Sequence, residues 1–202
     1  MDDRALRIAL VLAGHIIWLS AAALRILRGR RAHQLRGGAP WWIEYYPPLV
    51  WLPLLGVLIA RPFSLDLDPT VRYAGLALAW SAALFAAWAM WSLGRGYGIR
   101  TDLFAGHELK TDGAYGLVRH PMYLGVIAFH VGASLALVSL MLLVATAILI
   151  VPYTAARSAA EERLLRRAFG RSFAAYAAAV PALVPSPRSL LQRAHQEAPS
   201  QR

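Results

Sequence analysis

The chain begins with long apolar runs that are separated by short polar segments. Three such runs cover residues 5–27, 41–60 and 71–93. Each has about the 20 residues with which a helix crosses a hydrocarbon core roughly 30 Å thick. The first run is longer than the apolar core of a cleaved signal peptide and is preceded by mixed charges, so we predict that it is retained as a membrane helix.

The second and third runs contain signals for helix shape and packing. Three prolines remove backbone donors from the second run, so we expect its helix to be kinked or broken. In the third run small residues recur every four positions, a spacing that places them on one face for close helix packing. They are Gly75, Ala79, Ala83 and Ala87. Trp80, Leu84, Trp88 and Trp91 occupy another face and are predicted to contact lipid or other helices.

Residues 121–156 form a further segment that is almost wholly apolar. A single helix of this length would extend about 54 Å, too far for one crossing. We therefore predict two short helices that turn back near residues 134–139, which makes about five spans in total. After Pro152 leucines alternate with arginines, as in an amphipathic helix at a membrane surface, and Val180-Pro181 is expected to end it.

The charged residues predict the orientation of these spans. The chain is 58% hydrophobic and 16% charged, whereas a soluble domain has about 25% charged residues. Residues 25–36, 95–119 and 157–202 hold 17 of the 21 lysines and arginines, and span counting puts all three segments on one side. The positive-inside rule makes that side cytosolic and the amino terminus external. Topology thus accounts for the net charge of +10, and no nucleic-acid partner is predicted.

These patterns predict an all-α integral membrane protein, which we expect in the bacterial inner membrane. Residues 1–93 would form three spans, and residues 94–186 would form a polar loop, the apolar hairpin and a cytosolic amphipathic helix. Residues 187–202 would form a basic, disordered tail. His15 and His130 lie at membrane depth, where we expect neighbouring helices to satisfy them. The oligomeric state is left open.

A polar stretch before the fourth predicted span concentrates the groups that can do chemistry. It runs from His107 to Gly125, and the apolar hairpin brings it to the same side as Arg157–Glu162.

Several other kinds of functional site are excluded by the sequence. The stretch lacks the second histidine of a zinc-protease helix, there is no Gly-x-Ser-x-Gly elbow, and no cysteine is present to bind a metal or act as nucleophile. The glycines at positions 94, 96 and 98 follow a helix and not a strand, which disfavours a dinucleotide loop.

Two blocks of sequence resemble the signature of the isoprenylcysteine carboxyl methyltransferase family, which is related to phospholipid methyltransferases. The first block is His107–Gly125 itself. The second is Arg157-x-x-x-Glu161-Glu162-x-x-Leu165, followed by Phe169-Gly170, Tyr176, Val180-Pro181 and Val184-Pro185. The resemblance covers roughly residues 90–186. It departs from the family pattern at Lys110, where valine is more common, and at Ala114, where proline is usual.

The resemblance implies a membrane enzyme that transfers a methyl group from S-adenosyl-L-methionine. By motif position, the cofactor would contact His107, Glu108, Leu109, Lys110, Tyr115, Arg119, His120, Pro121, Met122, Tyr123, Glu161 and Glu162. Arg157, Glu162 and His120 would act in catalysis, with Arg157 facing the methyl acceptor. No metal is expected.

The residue types fit a ligand that carries a sulfonium, a carboxylate and an adenine. Tyr115 and Tyr123 can offer aromatic faces to a cation, and the two glutamates can offer negative charge. An acceptor carboxylate is already ionised at pH 7, so it needs no base, and Arg157 can hold it through two parallel hydrogen bonds. An amine or thiol acceptor would instead have to lose a proton to His120 or to a glutamate.

The sequence therefore predicts a membrane methyltransferase that acts on a lipidic or prenylated acceptor among membrane lipids. Carboxyl methylation of an isoprenylcysteine is the reaction closest to the resemblance, and methylation of a phospholipid amine or of a small hydrophobic thiol is the alternative. A non-catalytic membrane protein that kept the fold is a second possibility. In that case Arg119 and His120 would anchor a helix end in the headgroups, and Glu162 would form an ordinary surface pair with Arg166.

Overall fold

The computed structural model describes residues 3–28, 34–35, 40–44, 46–59, 64–93, 103–104 and 108–185, and most of these residues are helical. The α-helices are α1 (Asp3–Arg28), α2 (Trp41–Glu44), α3 (Tyr46–Ile59), α4 (Pro69–Leu93), α5 (Pro121–Ala136), α6 (Leu140–Ala145) and α7 (Val151–Ala179). A 3-10 turn spans Gly113–Gly116, and a π-helical turn, Thr146–Ile150, joins α6 to α7. Two-residue strands, β1 (Gln34–Leu35) and β2 (Leu103–Phe104), pair antiparallel.

The helices have the lengths and apolar character of a membrane protein, as predicted. Among the described residues, three segments are long and apolar enough to cross a membrane: Asp3–Leu24, Pro69–Leu93 and Leu140–Ala179. Helices α3 and α5 have 14 and 16 residues and would extend only about 21 and 24 Å, short of a hydrocarbon core of roughly 30 Å. The all-α membrane fold is confirmed, and the number of crossings stays a prediction.

The predicted break in the second run and the predicted hairpin both occur. Two helices, α2 and α3, replace one continuous span, and α5 turns back into α6 between Ala136 and Leu140. The hydroxyl of Ser139 accepts a hydrogen bond from the amide of Leu142 at 3.2 Å and so caps α6. The amide of Leu65 donates to the carbonyl of Val138 at 2.8 Å, which ties the loop before α4 to this turn.

The amphipathic segment directly continues the last apolar helix. Helical structure runs from Leu140 to Phe169, about 45 Å and hence further than a hydrocarbon core of roughly 30 Å, before Gly170 interrupts it. Pro152 lies in the first turn of α7, directly after the π-helical turn that takes up the irregular backbone bonding around it. The helix ends before Val180-Pro181, as predicted.

Helices α4 and α5 pack antiparallel at very short range through glycines. A Cβ atom on Gly132 would lie 2.6 Å from the amide nitrogen of Ala79 and 2.6 Å from the carbonyl oxygen of Gly75. The small-residue face is therefore confirmed at Gly75, Ala79 and Ala83, all of which are buried. Beyond them Ala86, and not Ala87, is buried, because a strict four-residue spacing drifts off one face of a helix with 3.6 residues per turn.

The starts of α1 and α4 meet the end of α5 at the side of the bundle opposite Pro121. Arg7 is buried, and its guanidinium donates to the carbonyl of Ala136 at 2.5 Å and pairs with Asp3 at 3.1 Å. Tyr73 donates to the carboxylate of Asp3 at 2.9 Å. These contacts satisfy a carbonyl at the carboxyl end of α5 and fix how far α5 extends.

The membrane-depth histidines face protein. The ring of His15 lies 5.3 Å from the rings of Trp18 and Phe129, and the Nδ1 atom of His130 lies 2.8 Å from the carbonyl oxygen of Val126. By contrast, Leu84, Trp88 and Trp91 on α4 are exposed, as expected for side chains that contact lipid.

We expect Gly132→Ala to destabilise the protein by about 1–3 kcal/mol, because the new methyl group would force α4 and α5 apart. Gly56→Ala is the matched control in α3, since its added Cβ would meet only the flexible end of Met141 at 3.7 Å. That variant should be neutral or slightly more stable, because alanine is the better helix former. Thermal denaturation in detergent measures both, and equal melting temperatures would contradict the close α4–α5 contact.

Candidate functional site

The segment before α5 is bonded to the segment after α7, which brings the two signature blocks together. The amide of Arg119 donates to the carbonyl of Pro181 at 2.8 Å, and the amide of His120 donates to the carbonyl of Ala182 at 3.0 Å. The Arg119 guanidinium also donates to the carbonyl of Ala177 at 2.9 Å. The loop that leads into α5 is therefore held by the end of the last helix.

A bend at Gly170 makes this junction possible. Its φ of 51° and ψ of −116° interrupt the helical backbone of α7, a conformation that glycine adopts without the strain of a side chain. Beyond the bend, Phe173 and Tyr176 are buried against Leu109 and Val180. The hydroxyl of Tyr176 donates to the carbonyl of Tyr115 at 2.7 Å. The last turns of α7 thus pack under the loop of the first block.

One oxygen of Glu162 binds three donors from the first block. The Nε and Nη2 atoms of Arg119 lie 2.9 and 2.7 Å from Oε1, and the Nε2 atom of His120 lies 3.1 Å from the same oxygen. The other oxygen lies 3.7 Å from the exposed guanidinium of Arg166. Glu162 is thus bonded chiefly across the hairpin, and its pair with Arg166 on the same helix is the longer contact.

Glu161 belongs to a second set of contacts next to the first. Tyr123 donates its hydroxyl proton to Oε1 of Glu161, and Arg157 donates from Nε to the hydroxyl oxygen of Tyr123 at 2.7 Å. The Nδ1 atom of His120 lies 3.6 Å from Oε2 of Glu161. His120 therefore lies between the two carboxylates and joins both sets of contacts.

The surroundings of His120 favour its charged form. Burial alone would lower the pKa of the imidazole, but hydrogen bonds and charges from Glu161 and Glu162 outweigh burial and raise the pKa above its ordinary value of 6.5. His120 is also the residue directly before Pro121, which occupies the first turn of α5 as predicted. The helix start thus sets the direction of the imidazole.

Helix α2 contributes backbone carbonyls to this site, which no sequence pattern predicts. The Nη1 atom of Arg157 donates to the carbonyl of Ile43 at 2.6 Å. Tyr153 donates its hydroxyl to the same carbonyl at 2.8 Å and also bonds the carbonyl of Trp42. The sequence signal in this region was its three prolines, and these do not report on carbonyl groups that any residue carries.

The remaining candidate residues lie around this cluster. Glu108 is exposed, Leu109 packs against Phe173 and its neighbours, and Lys110 pairs with Asp112 at 2.7 Å. Met122 packs against the core of the bundle. His107 lies outside the described residues.

The carboxylates, and not the tyrosine rings, are the groups of this cluster that a ligand can reach. The rings of Tyr115 and Tyr123 are buried, and the Tyr123 ring stacks on the imidazole of His120 with 5.7 Å between centroids. The side chains of Glu161 and Glu162 are 25% and 18% exposed. The cluster therefore offers a cation two carboxylates at its surface, while arginine and histidine donors for an anion lie directly behind them.

Comparison with known proteins matches the half of the chain that carries the first block and the beginning of the second. Residues 71–172 match the family model described as phospholipid methyltransferase. The chain is 37% identical over 79 residues to Protein-S-isoprenylcysteine O-methyltransferase B of Arabidopsis thaliana, a match that covers 39% of this chain and 40% of that protein. It is 32% identical over 109 residues to a Probable protein-S-isoprenylcysteine O-methyltransferase of Oryza sativa subsp. indica, covering 53% and 57% respectively.

The matches span about half the length of these relatives, and the family model covers half of this chain, from α4 to the bend in α7. Within this region lie Arg119–Tyr123 and Arg157–Glu162, the residues that form the charged cluster. The resemblance seen in the two blocks is confirmed: the chain belongs to the phospholipid methyltransferase family.

Proposed function

We propose that this protein transfers a methyl group from S-adenosyl-L-methionine to a lipidic acceptor at one face of the membrane. The observation that carries the proposal is the contact of Glu162 with Arg119 and His120 across the hairpin, next to Glu161. This contact joins the two blocks at a point where charged groups of both signs lie close to apolar helices. A reaction between a charged cofactor and an apolar acceptor requires a site that offers both charged groups and apolar surface.

The charges of the cluster are complementary to those of the cofactor. Glu161 and Glu162 would attract the sulfonium and the ammonium, and Arg119 and His120 would favour the carboxylate. When bound, S-adenosyl-L-methionine supplies a methyl group that the acceptor atom attacks in line, as the bond to sulfur breaks and its electron pair stays on sulfur. Such a displacement needs alignment and exclusion of water more than proton transfer.

Arg157 is the proposed binding group for the acceptor. It lies on α7 one helical turn before Glu161, and its Nε atom is 3.6 Å from Oε1 of that residue. Its guanidinium can hold a carboxylate through two parallel hydrogen bonds. A carboxylate is the group that an isoprenylcysteine would present, and the two relatives carry the name isoprenylcysteine O-methyltransferase, one of them as probable.

The depth of the site suits an acceptor with an apolar tail. Because α5 extends only about 24 Å, a bundle that is anchored at the far end of α5 places the start of this helix within the membrane boundary. Ile148 and Leu149, on the continuous helix that leads to Arg157, are exposed as lipid-facing side chains would be. A prenyl or acyl chain could therefore stay in the bilayer while its polar end reaches the cluster.

The proposed topology puts the cluster on the cytosolic side of the membrane and the amino terminus outside. The three segments rich in arginine and lysine then lie on the cytosolic side. A phospholipid amine or a small hydrophobic thiol remains the second candidate for the acceptor, since either could use the same cofactor site and a lateral approach from the bilayer.

Glu162→Gln should weaken binding of S-adenosyl-L-methionine by at least tenfold, since a hydrogen bond to a charged group contributes about 1.5–3 kcal/mol. Arg163→Gln, an exposed charge change on the next residue of the same helix, should leave binding unchanged. Calorimetric titration of the purified protein in detergent measures both constants. If the unaltered protein does not bind the cofactor at millimolar concentration, the enzyme proposal fails.

Arg157→Lys should reduce methyl transfer to a prenylcysteine analogue at least a hundredfold and leave cofactor affinity within about threefold. Lysine keeps the charge but cannot form the two parallel hydrogen bonds of a guanidinium. The assay compares labelled-methyl transfer to the analogue and to a membrane lipid extract, side by side. Full turnover in the variant would show that Arg157 does not bind the acceptor.

The pH dependence of methyl transfer should distinguish the two acceptor classes. The pairing of charged His120 with the glutamates is complete below about pH 6.5 and is lost as pH rises through the raised pKa of His120. With a carboxylate acceptor, which needs no base, the rate should fall as this pairing is lost. With an amine or thiol acceptor the rate should rise, because neutral His120 can then accept a proton. Rates between about pH 6 and 9 test this, and a rise with the prenylcysteine analogue would contradict the carboxylate assignment.

A further inference from the structure

We propose that α2 is a lid on the acceptor side of Arg157 and that Tyr153 is the positioning residue that holds it closed. This inference depends on the proposed function, because it takes Arg157 as the group that receives the acceptor. It goes further by assigning a role to a segment that lies outside both signature blocks and outside the matched residues 71–172.

Helix α2 is fastened to α7 through its own carbonyl groups. Tyr153 bonds the carbonyls of Trp42 and Ile43, and Arg157 donates to the carbonyl of Ile43 at 2.6 Å. These carbonyls lie at the carboxyl end of a four-residue helix, where no intrahelical donor can reach them. All three bonds therefore come from side chains of one neighbouring helix, on its residues 153 and 157.

A helix of one turn is held in place only by such contacts, because a single turn is not stable alone. The side chain of Ile43 is 2% exposed and points into the protein, whereas Trp41 and Trp42 are 74% and 42% exposed. The ring of Trp42 also lies 6.0 Å from that of Tyr153 in an edge-to-face arrangement. The described contacts of α2 thus include one buried side chain, one ring contact and the bonds to its carbonyls.

The closed position of α2 conflicts with two-point binding of an acceptor carboxylate. Arg157 is only 3% exposed, its Nε atom is bonded to Tyr123, and its Nη1 atom is bonded to Ile43. The edge formed by Nη1 and Nη2 is the one that a carboxylate can bind without breaking the Tyr123 bond, and at Nη1 the carboxylate would meet the Ile43 carbonyl. An incoming carboxylate must therefore displace α2.

The displacement is favourable for an ionised acceptor. A carboxylate attracts the guanidinium by its full negative charge and can accept two parallel hydrogen bonds from it, whereas a neutral carbonyl has no net charge. An ionised acceptor therefore competes well with Ile43 for Arg157, whereas an ester carbonyl of a surrounding lipid has no such advantage. The lid would keep Arg157 bonded and shielded until a carboxylate arrives, and the methylated product, which has lost its charge, would be released as α2 returns.

Tyr153→Phe should loosen the lid without changing the shape of the ring. Loss of one net hydrogen bond, about 0.5–1.5 kcal/mol, shifts the open-to-closed equilibrium about two- to tenfold. Because the closed state reduces the apparent affinity of the acceptor, KM for the prenylcysteine analogue should fall by up to that factor. The affinity for S-adenosyl-L-methionine should stay unchanged, since Tyr153 is not one of the charged residues proposed to bind the cofactor and its hydroxyl bonds the carbonyls of α2.

Thiol labelling tests the lid without relying on activity. The chain contains no cysteine, so Ile43→Cys introduces a single thiol at a buried position of α2. We expect a soluble maleimide to label this thiol slowly when Ile43→Cys is the only substitution. Labelling should be about two- to tenfold faster when Tyr153→Phe is added. Tyr176→Phe is the matched control on the same helix, since it also removes a tyrosine-to-carbonyl bond, and should not change the rate.

Two labelling results would overturn the proposal. One is that Ile43→Cys is labelled at the same rate with and without Tyr153→Phe, or that Tyr153→Phe and Tyr176→Phe accelerate its labelling equally. The other is labelling of Ile43→Cys as fast as labelling of Trp41→Cys, which would mean that α2 is not closed. An unchanged or raised KM in Tyr153→Phe would show that α2 does not compete with the acceptor. If the protein does not bind the cofactor, the proposed function is wrong, but the labelling result still reports on the position of α2. Failure of the proposed function and failure of the lid proposal are therefore distinguishable.

Discussion

The Arg119 guanidinium is the group on which the rest of the site depends. It bonds the Glu162 carboxylate on the helical part of α7 and the carbonyls of Ala177 and Val180 at the end of that helix. A charged group near a membrane is costly unless it is paired and hydrogen-bonded. Arg119 can bond partners on both sides of Gly170 only if α7 bends at that residue. The pairing of the Arg119 charge and the bend in α7 therefore depend on each other.

Close packing of α4 on α5 fixes where this charged cluster lies. The glycine contacts leave no room for the two helices to slide, and Arg7 holds the far end of α5. Since α5 is short, its amino-terminal end, which carries His120 and Tyr123, is drawn toward the apolar layer. A polar site at the edge of a membrane follows from these two constraints, and such a site suits a reaction between a charged cofactor and an apolar acceptor.

Much of the fold could be read from apolar runs and from residues with strong backbone preferences. The hairpin, the split second run and the end of α7 at Val180-Pro181 were predicted correctly, because proline, glycine and run length act locally. The amphipathic helix was predicted, but its continuity with the apolar helix before it was not. A proline such as Pro152 is tolerated in the first turn of a helix, and the π-helical turn that precedes it has no signal in the sequence.

The order and spacing of the two blocks were enough to indicate Arg119, His120, Arg157 and Glu162 as members of one cluster. How these residues pair is visible only in the folded protein. Glu162 bonds Arg119 across the hairpin more closely than Arg166 on its own helix, and Arg157 bonds the backbone of Ile43. These partners are 43 and 114 positions away, and one of them is a carbonyl group that every residue carries. Sequence spacing reports neighbours on one helix, whereas pairing across helices depends on the direction in which each helix leaves its turn.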